Sequence, residues 1–175
     1  MQRWINTFKD HLIQAWYKGH VVFYLLWPLS LVFCIIIKWR KVRLQKNAPS
    51  LDLPVIVVGN ISVGGAGKTP VVIALVEALK QAGLRPGVIL RGYGGKAPHY
   101  PYEVAQDSPL EAVWDEALMI KQKTAAMVVV GSDRLAAARY IEQQGCCDVI
   151  ISDDGLQHYA LARDMEVIVI DAKRG

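Results

Sequence analysis

At 175 residues and 53% hydrophobic, the chain has room for one domain and enough apolar material for its core. Its formal charge of +4 is local: Lys38, Arg40, Lys41, Arg43 and Lys46 place five cations in nine residues, leaving the remainder near −1. Cations set directly beside an apolar run point to anionic lipid headgroups and argue against nucleic acid, whose binders carry charge across a folded face.

The apolar run itself, Val21 to Ile37, is seventeen residues without a charge. It ends in KWRKVR rather than in a small-residue cleavage site, which excludes a signal peptide. As a helix it would reach roughly 25 Å, slightly short of a hydrocarbon core of about 30 Å. Pro28 is expected to kink it. Upstream, Trp4, Ile5, Phe8, Leu12 and Trp16 recur at helical spacing, as in a helix lying at a membrane interface. Two arrangements remain open: a single short span, or a hairpin-like insertion into one leaflet. If the segment spans, the heavier basic charge on its C-terminal flank puts the following residues in the cytoplasm. Residues 1–50 are therefore expected to form a membrane-associated helical segment. The three cysteines, Cys34, Cys146 and Cys147, have neither metal-ligand spacing nor the numbers of a disulfide framework, and read as reduced thiols.

From residue 51 short apolar runs alternate with helical stretches. PVIVVGN (54–60), GVIL (87–90), AMVVVG (126–131), DVIIS (148–152) and MEVIVID (165–171) read as strands. Between them, helices are expected from Lys68 to Gly83, over 108–124 and over 132–145, the last capped by Ser132 or Asp133. Continuous Val/Ile runs mark strands buried on both faces, and strand–helix alternation implies a doubly wound, mostly parallel α/β sheet.

Between the first strand and its helix stands Ser62-Val63-Gly64-Gly65-Ala66-Gly67-Lys68-Thr69, the GxxxxGK[ST] phosphate loop with Ser at its opening position. Glycines let backbone amides converge on phosphate oxygens, and the helix N-terminus adds its dipole. Lys68 supplies a charge to the β- and γ-phosphates of ATP, and Thr69 a hydroxyl to Mg²⁺. At the end of the DVIIS strand, Asp153 and Asp154 occupy the sheet edge where ligands bind, and a carboxylate there can hold Mg²⁺. Gln157 and His158 follow within reach of a transferred phosphoryl group. Intact Lys68 and Thr69 speak for retained nucleotide binding.

GNISVGGAGKTP, RGYGG at 91–95 and DDGLQH at 153–158, behind a membrane-seeking N-terminus, resemble the tetraacyldisaccharide 4'-kinase family over nearly the whole chain. The resemblance implies a P-loop kinase moving the ATP γ-phosphate to the 4'-hydroxyl of a tetraacylated glucosamine disaccharide 1-phosphate in lipid A biosynthesis. It places the enzyme on the cytoplasmic face of the bacterial inner membrane, with a lipid substrate and no obligate protein partner. It also makes Asp115 the general base, although Trp114 and Ala117 stand where the family has Gly and Pro. Arg91 and Tyr93 are placed toward the substrate cleft, with Arg134 as a weaker candidate. Family chains continue further and carry a histidine that pairs with the catalytic aspartate, so residues 51–175 are expected to be an incomplete kinase domain holding the nucleotide half. The competing reading is a membrane-associated switch ATPase of the partitioning or metallochaperone type, although the partitioning type carries a signature lysine where Val63 stands.

Overall fold

The computed structural model describes residues 27–46, 48–60, 67–92 and 94–170. The upstream amphipathic stretch, residues 61–66 of the phosphate loop, and Tyr93 lie outside them. The chain divides into two compact units, residues 1–44 and 45–175. In the first, helix α1 (Trp27–Lys46) has no buried residue, and the Arg43 guanidinium sits 5.3 Å from the centroid of the Trp39 ring. The kink expected at Pro28 falls at the edge of the described residues, since residues 21–26 of the apolar run lie outside them. No helix among the described residues is long and apolar enough to cross a membrane.

The second unit is a six-stranded sheet. Its strands are β1 (Val55–Asn60), β2 (Pro86–Leu90), β3 (Tyr102–Glu103), β4 (Met127–Val130), β5 (Val149–Asp153) and β6 (Met165–Val169), in the order β3-β4-β2-β5-β1-β6. All neighbours run parallel except β3, a two-residue antiparallel edge absent from the sequence reading because so short a strand has no periodicity to detect. Helices α2 (Lys68–Gln81), α3 (Leu110–Thr124) and α4 (Arg134–Gln144) complete the unit. Successive strand residues point to opposite faces. Val58, Val88, Val128, Val130 and Ile151 meet Val72 and Val76 of α2 and Ala117 and Ile120 of α3. On the other face, Val55, Val57, Ile89, Val129 and Ile150 meet Ala137, Ala138 and Ile141 of α4. This two-sided burial is why the strands are apolar throughout; each fully buried Val or Ile contributes about 1.5–3 kcal/mol.

The last strand departs from expectation. Among the described residues β6 pairs only with β1, and Met165 and Ile168 are 56% and 48% exposed, so its apolar run lies at an edge and not in a strand buried on both faces.

Helix ends differ in a way that bears on the site. Asp133 caps α4, its Oδ1 accepting from the amides of Leu135 and Ala136 at 3.0 Å each. The N-cap of α2 is Gly67, in the left-handed region at φ 71°, with no side-chain cap and no acidic residue in the first turn. Among the described residues no side chain caps the α2 N-terminus. Replacing Asp133 with Ala should cost about 1 kcal/mol, seen as a lower urea midpoint at unchanged m-value. An unchanged midpoint would show that the first turn of α4 does not depend on this cap.

Candidate active site

The C-terminal ends of β1, β2 and β5 meet beside the start of α2. Parallel pairing sets Val58 opposite Asp153, so the end of β5 lies next to the strand that leads into the phosphate loop. Lys68 Nζ donates to Asn60 Oδ1 at 2.9 Å and pairs with Asp154 Oδ1 at 3.2 Å. Asp154 takes the left-handed conformation, φ 52°, one of the few residue types that does so cheaply. Thr69 donates its hydroxyl to Glu116 Oε1 on α3.

Asp153 is 3% exposed, and its Oδ1 has no hydrogen-bond partner among the described residues. Burial above all, and next the neighbouring Glu116 carboxylate, push its pKa up to about 6 from 3.8, against the pull of Lys68. Arg134, which the sequence marked only as a weak candidate, is 3% exposed. Its Nη2 donates to the Asp153 carbonyl at 2.8 Å and its Nη1 to the Gly131 carbonyl at 3.3 Å, while Nε is buried and unpartnered. Burial lowers its pKa to about 10. The signal for Arg134 was present: a lone cation directly after a capping Asp, in a first turn otherwise made of Leu and Ala.

Arg91, Trp114, Glu116, Arg134, Asp153 and Asp154 line a cleft of about 270 Å³. It has an acidic pole at Asp153, Asp154 and Glu116, next to Lys68 and Thr69, and a cationic pole at Arg91 and Arg134. Arg91 and Gly92, which open the RGYGG segment, stand at the cleft's rim. A Cβ on Gly94 would fall 2.8 Å from the Trp114 indole, and one on Gly95 would fall 2.4 Å from the Ala112 carbonyl oxygen, so only glycine allows this approach to α3. Lys96 N–H donates to the Glu111 carbonyl at 2.8 Å, fixing the rim to the first turn of the helix.

Trp114 itself breaks α3, at φ 65° and ψ 158°. Asp115, just past the break, is exposed, whereas its neighbour Glu116 lines the cleft. Gln157 is exposed and His158 half-buried. Burial first, then the Arg134 and Arg91 cations, lower the His158 pKa and favour neutral imidazole. Arg163 pins this loop, donating to the carbonyls of His158 at 2.6 Å and Leu156 at 3.3 Å, and to Glu166 Oε1 at 3.0 Å. Ser62 to Ala66 and Tyr93 cannot be related to this geometry, since they lie outside the described residues.

A hard divalent cation fits the acidic pole. The buried Asp153 oxygen lacks a partner among the described residues, and the Glu116 and Asp154 carboxylates raise the Asp153 pKa; a cation would relieve both. The described residues contain no group of three or more His, Cys, Asp or Glu able to hold a metal alone. Such an ion would therefore draw further oxygens from a hydroxyl, from water or from phosphate, as Mg²⁺ commonly does. A carboxyl whose pKa is higher folded than unfolded binds its proton more tightly in the fold. The stability it lends is lost as pH rises from about 4 through about 6, on the order of 3 kcal/mol in all. Asp153→Asn should therefore raise stability relative to the unsubstituted chain by more at pH 8 than at pH 4, in urea titrations without cations. A difference that does not change with pH would show that Asp153 is ionised throughout.

Residues 22–175 match the tetraacyldisaccharide-1-P 4'-kinase family. The tetraacyldisaccharide 4'-kinase of Colwellia psychrerythraea is 50% identical over 169 residues, covering 92% of this chain and 49% of the relative. That of Aeromonas hydrophila is 50% identical over 166 residues, covering 93% and 50%. Among solved structures, LpxK from Aquifex aeolicus, described as an "apo" form in complex with ATP, aligns with TM-score 0.68 and 31% identity over 85% of this chain and 49% of its own. The chain thus spans about half the length of the curated relatives it matches. The doubly wound, mostly parallel sheet expected from the sequence is the one found, and the partitioning or metallochaperone alternative is left without support. Matched over 154 of its residues, and at 50% identity to its relatives, the chain belongs to the tetraacyldisaccharide-1-P 4'-kinase family.

Proposed function

We propose that this chain is the nucleotide-binding part of a kinase that transfers the ATP γ-phosphate to the 4'-hydroxyl of a tetraacylated glucosamine disaccharide 1-phosphate. One observation carries the reading: Lys68 bridges Asn60 and Asp154 at the mouth of a cleft that holds the buried, unpartnered Asp153 carboxyl. Backbone amides of Ser62, Val63, Gly64, Gly65, Ala66, Gly67, Lys68 and Thr69 cradle the triphosphate, with the uncapped α2 N-terminus behind them. Lys68 exchanges Asp154 for the β- and γ-phosphate oxygens. Thr69 and Asp153, with Asp154 nearby, hold Mg²⁺, which when bound offsets negative charge on the phosphates.

Asp115 accepts the proton of the attacking hydroxyl, in keeping with the family resemblance and with its position just past the break at Trp114. Glu116 holds Thr69 in place and Arg134 orients Asp153 through its carbonyl. Arg91, Tyr93 and Gln157 face the acceptor, and neutral His158 accepts hydrogen bonds beside them. The lipid acceptor stays in the cytoplasmic leaflet of the bacterial inner membrane. Exposed Trp27, Phe33, Ile35, Ile36 and Trp39 on α1, followed by the basic cluster, support docking on that anionic surface.

The test is transfer from radiolabelled ATP to the disaccharide acceptor, with a 4'-blocked acceptor as control, by this sequence continued to the length of its relatives. Asp115→Asn should lower kcat by about 10²–10⁴ with little change in KM for ATP. Lys68→Ala should abolish ATP binding to the chain itself. Full transfer by Asp115→Asn would remove the base assignment, and undiminished ATP binding by Lys68→Ala would remove the kinase reading.

A further inference from the structure

The opposite edge of the sheet, at the N-terminal ends of the strands, carries a cluster that plays no part in the proposed reaction. Met127 opens β4, and Cys146 and Cys147 stand in the turn between α4 and β5. The turn is fixed at both sides. The left-handed Gly145, φ 64°, ends α4, and Asp148 binds Arg85 through its amide, 2.8 Å from the Arg85 carbonyl, and through its carboxylate, 2.6 Å from Arg85 Nη2. This arrangement brings three sulfur atoms together. Cys146 Sγ lies 3.5 Å from Met127 Sδ, Cys147 Sγ lies 3.9 Å from Met127 Sδ, and the two Sγ atoms are 3.9 Å apart. They border a cavity of about 250 Å³ that is also lined by Lys80, Leu84 and Arg85.

The point equidistant from the three sulfurs lies about 2.2 Å from each, close to a metal–thiolate bond length, which is about 2.3 Å for zinc. Two thiolates and a thioether in a trigonal set form a soft site with no nitrogen or oxygen ligand. That set favours a monovalent d¹⁰ ion over Zn²⁺, which prefers four ligands, and over Mg²⁺, which prefers oxygen. Sequence spacing alone does not reveal the set, because its third member is a methionine nineteen residues upstream on another strand.

We propose that Cys146, Cys147 and Met127 form a three-sulfur site for Cu(I). Binding exchanges two S–H bonds for two copper–sulfur bonds and releases two protons, while the thioether donates a lone pair; no electron changes hands. The bound set carries one net negative charge beside Lys80 and Arg85 on the cavity wall, which are themselves paired with Glu77 and Asp148. Cys147, 6% exposed, closes the inner side of the site, while exposed Cys146 lies on the side from which an ion arrives.

The test is anaerobic titration of the reduced chain with Cu(I) held by bathocuproine disulfonate, whose colour reports copper withdrawn by the protein. One equivalent should be withdrawn. Cys146→Ser, at an exposed position that should leave folding intact, should weaken binding by more than the roughly 10- to 100-fold that loss of an outer-shell partner costs. Met127→Leu should weaken it measurably while preserving volume, and Cys34→Ser on α1 should have no effect. The site is refuted if the chain withdraws no copper, or if the Cys146→Ser and Met127→Leu variants, folded by circular dichroism, withdraw it as tightly as the unsubstituted chain.

Discussion

The Lys68 ammonium joins two neighbouring parallel strands at their ends, holding Asn60 at the end of β1 and Asp154 just after β5. It lowers the pKa of buried Asp153, which burial and Glu116 nevertheless raise to about 6. The charge balance of the cleft leans on this lysine together with Arg134: without Lys68, one buried and two nearby carboxylates would repel one another more strongly in a region of low dielectric. The same arrangement explains why the site is poised for a ligand. A polyphosphate would compete with Asp154 for Lys68, and a divalent cation would take over the neutralisation that Lys68 now supplies to the carboxylates.

Much of this was legible in the sequence because it rests on local rules. Continuous Val/Ile runs gave the buried strands, and GAGKT between a strand and a helix gave the position of Lys68 and Thr69. DD at the end of an apolar strand gave the acidic pole. What stayed hidden depends on tertiary placement. Arg134 looks like an exposed first-turn residue until α4 is laid against the sheet, where its guanidinium reaches the Asp153 carbonyl. Glu116 and Asp115 are neighbours of the same type, and only the break at Trp114 decides which of them lines the cleft. The apolar residues of β6 suggest burial, but its place at the sheet edge leaves them half-exposed.

The two edges of the sheet carry contrasting chemistry. At the C-terminal ends of the strands, oxygen ligands and cations face one another across an open cleft, an environment for hard ions and phosphate. At the N-terminal ends, three sulfurs meet with no oxygen ligand between them. The Cys147 thiol there is pushed up to about 12, by burial first and by the neighbouring Cys146 next. The glycine-rich RGYGG rim belongs to the first edge, and its close fit against Ala112 and Trp114 couples the cleft's shape to the break in α3.

In the proposed reaction the buried Asp153 carboxyl exchanges its proton for a cation when nucleotide binds. Calorimetric titration of Mg²⁺·ATP into the chain near pH 6, repeated in buffers of different ionisation enthalpy, measures that exchange. Binding should release a fraction of a proton that disappears at pH 8 and in Asp153→Asn. Binding without proton release at pH 6, or with the same release in Asp153→Asn, would contradict the role given to Asp153.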